Sequence, residues 1–176
     1  MIEDLQYPIG KFIEPSIIND ALIQSGINVI THFPAKLKQE VSTLKDYQLD
    51  TPYRPEGWSI RQVVHHCADS HMNSVIRFKL ALTEDEPVIK PYYEDRWANL
   101  SDNQMDINPS LLLLDSLHIK WVYLINSFTD IDFKKFYVHP DNGKMYTLEL
   151  AVILYAWHCN HHLAHIKTLK HTQQWA

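Results

Sequence analysis

The stretch from Gly57 to Asn73, GWSIRQVVHHCADSHMN, decides the fold. Ser59 is a favoured helix N-cap, because its hydroxyl accepts from a backbone N–H that the first turn leaves without a partner. Gln62, three residues later, completes a reciprocal capping box. Apolar residues then recur at Ile60, Val63, Val64, Cys67, Val75, Phe78 and Leu82, the spacing of one helix face. The stretch also carries His65, His66 and His71.

Outward from this helix, the pattern predicts three more. A first helix is expected from about Ser16 to Leu44, kinked or divided at Pro34, which has no N–H to give the preceding turn. A third is expected from Pro109 to Ser127, with proline in its first turn. A fourth is expected from the cap at Thr147 to about Lys170. Residues 1–15 read as an irregular arm and 84–108 as a long connection, with a short helix near Glu94 to Leu100. Residues 128–146 read as irregular, with a turn at Pro140-Asp141-Asn142-Gly143. Only four glycines occur, and no repeat or composition break divides the chain. The expectation is one all-α domain over residues 1–176, a four-helix bundle with a long crossover between helices two and three.

Bulk composition removes several classes of function. There are 16 Lys and Arg against 21 Asp and Glu, a net charge of −5, and no basic run to hold a phosphate backbone. Nucleic acid is therefore not an expected partner. The longest apolar run, Leu148 to Trp157, is interrupted by Glu149 and is too short to cross a bilayer, so no membrane association is expected. The N-terminus reads as no signal peptide, and a cytoplasmic location is expected. Cys67 and Cys159 are the only cysteines, both on apolar stripes, and read as buried free thiols.

Histidine departs from this ordinary background. Of 11 histidines, His158, His161, His162 and His165 cluster in the fourth helix, opposite the cluster in the second. Residues four apart share a helix face, so His158/His162 and His161/His165 each offer two imidazoles to one ion. Spacing alone leaves both pairs open. His162 shares a stripe with Val152, Tyr155, Cys159 and Ile166 and reads as a hydrogen-bonded core histidine, whereas His161 and His165 lie on another face, with Leu154 and His158, that turns from apolar to histidine-rich. On the second helix, His66 sits at the edge of the apolar stripe, His65 turns further towards solvent, and His71 falls on the stripe as a core or supporting group. The two clusters come level only if helices two and four are antiparallel, which the crossover permits by leaving helix three parallel to helix two.

These residues resemble a known family. GWSIRQVVHHCADSHMN and WHCNHHLAHI (157–166) resemble the helix-two and metal-binding helix-four signatures of the DinB/YfiT superfamily. YPIGKF, PAKLKQEV, LDTPYRPEGW and the Pro-Tyr-Tyr-Glu crossover resemble its YfiT-like branch. The resemblance implies a metal held by His66, His161 and His165, zinc or nickel as that ion, one ion per chain, and a homodimer. Three ligands leave a position open for chemistry. It further implies either a thiol S-transferase joining a low-molecular-weight thiol such as bacillithiol to a small electrophile, or a metal-dependent hydrolase. A non-enzymatic metal-binding stress protein is the third class. Tyr92, Tyr93 and Trp97 are expected either as an apolar wall for the cosubstrate or as packing. Asp69 and Glu94 are the carboxylates offered as a general base.

Overall fold

The computed structural model describes residues 2–141 and 143–175. Four long helices form the body: α1 (Asp20–Val41), α2 (Ile60–Thr83), α3 (Asn108–Ile125) and α4 (Leu148–Gln173). The capping box is present as expected, with Gln62 N–H donating to Ser59 Oγ at 3.2 Å and Ser59 N–H donating to Gln62 Oε1 at 3.0 Å. Thr147 Oγ1 caps α4 by accepting from Leu150 N–H. α1 starts later than expected, because Asn19 Oδ1 accepts from Leu22 N–H and fixes the first turn there.

Pro34 does not divide α1, which runs through it without a break. A proline leaves the carbonyl four residues before it without a helical donor. Here that carbonyl is Ile30 O, and the Nδ1–H of His118 on α3 donates to it at 2.7 Å.

Contacts between the helices give their directions. His65 meets Ser110 and His71 meets His118, so α2 and α3 run parallel. His66 meets His158, while Arg77 reaches back to Tyr155, so α2 and α4 are antiparallel. Gly26 lies against Val152, and Lys170 reaches Glu40, so α1 and α4 run parallel. This is the arrangement that levelling the histidine clusters required. The crossover is pinned along α2: Gln62 Nε2 donates to Ala98 O, and Arg61 and His65 both donate to Met105 O. It contains a one-turn helix at Glu94–Trp97 and a 3-10 turn at Ser101–Gln104.

Two expectations of irregular chain are corrected. The N-terminal arm holds a short helix, Ile2–Gln6. The 128–146 connection holds a helical turn, Asp130–Lys134, and an antiparallel hairpin of β1 (Phe136–His139) and β2 (Lys144–Thr147). The hairpin survives because it is not isolated. Val138 N–H donates to Pro87 O, Ile89 N–H donates to Val138 O, and Tyr137 is 2 % exposed under it. Gly143 takes a positive φ of 63° in its turn, and Asn142 lies outside the described residues.

The core has two apolar halves. Phe33, Leu37, Ile60, Val64, Leu114 and Ile166 fill one, and Ile30, Phe78, Trp121, Leu148 and Val152 fill the other. Buried imidazoles lie at the joint, where His71 touches Phe33 on one side and Trp121 on the other. Cys67 and Cys159 are buried free thiols, as expected. No helix among the described residues is long and apolar enough to cross a membrane.

Candidate metal centre

The antiparallel crossing of α2 and α4 sets His66, in the second turn of α2, against His158 and His162 of α4. One ligand atom from each of these three lies within 4.8 Å of the others. His66 Nε2 and His158 Nε2 are 3.3 Å apart. Two imidazole nitrogens at about 2.05 Å from one tetrahedral ion would be about 3.3 Å apart. A second cluster on the same scale, His161, His162 and His165, comes from α4 alone and shares His162.

The set expected from the resemblance, His66 with His161 and His165, lines the same pocket but is not among these close groups. His161 stacks on Trp157 at the pocket wall, with ring centroids 4.6 Å apart. His165 stacks on Tyr53 at 3.9 Å, and its Nε2–H donates to Gln6 O. The stripe read as core along α4 is the stripe that faces α2. His162, taken as a core histidine, therefore points into the space that His66 enters. His65 is also corrected: it is buried, with Nδ1 accepting from Ser110 Oγ and Nε2–H donating to Met105 O. His71 falls on the stripe as expected, and its Nε2 lies 3.2 Å from His158 Nδ1.

These rings are held neutral. Burial, the largest cause, pushes His66 down to about 3 and His161 and His165 to about 4. It drives His158 and His162 well below the ordinary imidazole range, and the neighbouring rings add to the effect. A neutral imidazole keeps a lone pair for a cation. Nδ1 of His161, His162 and His165 is buried with no hydrogen-bond partner. Buried polar atoms without partners are uncommon and call for an explanation, and unpaired ring nitrogens clustered on α4 beside His66 fit a divalent ion. Burial raises both thiols, so Cys67 and Cys159 stay protonated and are poor ligands.

The pocket over these rings has a volume of about 410 Å³. Tyr92, Tyr93 and Trp97 were expected either as its wall or as packing, and the contacts are those of the second alternative. Tyr92 packs on Trp97, Tyr93 lies exposed under Arg96, and none of the three lines the pocket. The wall comes instead from Tyr7, Tyr53, Trp58 and Trp157, with Trp58 4.5 Å from the His66 ring. Of the two carboxylates, Glu94 lines the rim, where desolvation and then Asp95 raise its pKa. Asp69 is half-buried away from the pocket beside Asn103, its pKa raised chiefly by desolvation. Arg54 also lines the pocket, and its Nε is buried without a partner.

The chain has close relatives. Residues 30–166 match the profile of the DinB superfamily. A Bacillus subtilis protein named "Putative metal-dependent hydrolase YfiT" is 49 % identical over 174 residues, covering 98 % of each chain. A Bacillus mycoides protein, likewise named a "Putative metal-dependent hydrolase", is 48 % identical over 99 % of this chain and 100 % of its own. The solved structure of YfiT from Bacillus subtilis, described as "a probable metal-dependent hydrolase with an unusual four-helix bundle topology", superposes with a TM-score of 0.96 over 98 % of this chain and 99 % of that one.

Proposed function

The chain belongs to the DinB superfamily, and from that premise we propose that it is a metal-dependent hydrolase whose single divalent ion is held by His66, His158 and His162. The 3.3 Å approach of two imidazole nitrogens from different helices carries the assignment of the centre. The hydrolytic reading is supported by the names of the relatives. Three protein ligands leave a position open, and an ion there supplies a Lewis acid that brings the pKa of a water it holds to near neutrality.

The rest of the work falls to the chain. His161 is neutral, lies on the pocket wall and has an unpartnered Nδ1, so it can take a proton beside the open position. The rings of Tyr7, Tyr53, Trp58 and Trp157 exclude water and favour a small, flat, apolar substrate. Glu94, at the rim, is a second proton acceptor. Zinc or nickel both suit a set of three imidazoles.

Arg54 favours a second reading, transfer of a low-molecular-weight thiol to an electrophile. A guanidinium with a free buried nitrogen at the mouth suits an anionic cosubstrate.

Elemental analysis and two assays test these readings. His66→Ala, His158→Ala and His162→Ala should each lose the ion. His161→Ala should keep it and lose about 10²–10⁴-fold in turnover of an activated ester. If His161→Ala loses the ion and His158→Ala keeps it, the ligand assignment is wrong. A hydrolase turns over the ester without thiol. Conjugation of a thiol to a generic electrophile, with no ester turnover, selects the second reading.

A further inference from the structure

Behind His158 runs a chain of buried rings that ends on a backbone carbonyl. His158 Nδ1 is 3.2 Å from His71 Nε2, His71 Nδ1 is 2.8 Å from His118 Nε2, and His118 Nδ1 is 2.7 Å from Ile30 O. His71 is fully buried, His118 is 2 % exposed, and among the described residues neither hydrogen-bonds to a carboxylate. A carbonyl can only accept, so the proton at the end of the chain lies on His118 Nδ1. A neutral His118 then has its lone pair on Nε2, and His71 must donate to it from Nδ1. His71 Nε2 is therefore the acceptor, with the Cys159 thiol at 3.9 Å and His158 Nδ1 nearer at 3.2 Å; His158, as the closer donor, carries its proton on Nδ1, and its lone pair is left on Nε2. That nitrogen is the one 3.3 Å from His66 Nε2.

The anchor is a consequence of the sequence. Pro34 has no N–H, so Ile30 O has no helical donor to satisfy it. The carbonyl is free for His118, and the polarity of the whole chain follows from that one unpaired acceptor.

We propose that His71 and His118 are positioning residues: from the carbonyl that Pro34 leaves open, they hold His158 in the Nδ1–H form with Nε2 presented to the ion. The inference rests on the reading of His158 as a ligand. The ring nitrogens that hold a metal commonly have their other N–H fixed by such a partner. Here the partner is a histidine, which has the same ambiguity of tautomer, and a second histidine and a backbone oxygen resolve it.

The test uses the full chain, free of metal, in a long-range proton–nitrogen NMR correlation that separates protonated from lone-pair ring nitrogens. His118, His71 and His158 should each be protonated at Nδ1. A proton on Nε2 of His71 or His158 overturns the proposal whatever the metal does. Zinc titration then follows function. His71→Phe keeps the ring and removes both bonds, and it should weaken zinc about 10–100-fold. Pro34→Ala offers Ile30 O a competing helical donor, and it should weaken zinc without lowering helix content, an effect that a purely structural role for the proline would not produce. Unchanged zinc affinity in both variants overturns the proposal. If the tautomers are as stated and His158→Ala still binds zinc normally, the assignment of the metal centre fails and the chain of rings stands.

Discussion

Mild acid should unfold the metal-free protein, and the histidines set both the window and the size of the effect. His66, His118, His161 and His165 have folded pKa values pushed by burial to about 3 or 4. Burial lowers His71, His158 and His162 well below the ordinary imidazole range as well. In the unfolded chain each returns to about 6.5. The unfolded state therefore binds more protons below that value, and stability falls as the pH drops from about 6.5 towards 4. At about pH 5.5, each ring kept neutral by the fold costs about 1.3 kcal/mol relative to neutral solution. The four with defined values together cost about 5 kcal/mol, comparable with the whole stability of many domains. Asp69 and Glu94 have raised pKa values and act in the opposite direction, but they are two carboxyls against seven imidazoles. Urea midpoints measured by circular dichroism from about pH 7.5 to 5 should fall steeply below 6.5. Zinc at about 100-fold over its Kd should restore about 2.7 kcal/mol while the ligands remain unprotonated. A flat profile from pH 7.5 to 5.5 without metal would refute the claim that these rings are neutral and buried.

Two stability measurements check the frame that carries the centre. A Cβ on Gly26 would meet Val152 Cγ1 at 2.9 Å, so Gly26→Val should push α1 from α4 and cost about 1–3 kcal/mol by chemical denaturation. Ser59→Ala removes the hydroxyl that caps α2 and should cost about 1 kcal/mol in the same assay, with zinc stoichiometry unchanged.

The bundle was legible because its signals are local. The Ser59–Gln62 box, the cap at Thr147 and the apolar periodicity of α2 each act over a few residues, and the level of the two histidine clusters then required an antiparallel α2 and α4. The hairpin was not legible, because its strands are four residues each and depend on Pro87 and Val138 pairing across some fifty positions. The histidine density was plain, but the choice within it was not. Spacing offers His158/His162 and His161/His165 as alternative pairs, yet only the packing of α2 says which pair looks towards His66. Reading an apolar stripe as core set His162 aside, and grouping His158 with His161 and His165 hid its approach to His66. The aromatic wall was missed because Tyr7 and Tyr53 reach the pocket from the arm and from the loop before α2.

The roof of the pocket is the start of the chain itself. Gln6 O accepts from His165, and the Tyr7 ring lies 5.9 Å from that of His161. Opening of residues 6 and 7 alone would uncover the histidines without separating the four helices, and local openings cost less than global unfolding. An ion held at the histidines would then exchange at a rate set by that local opening rather than by the stability of the four helices.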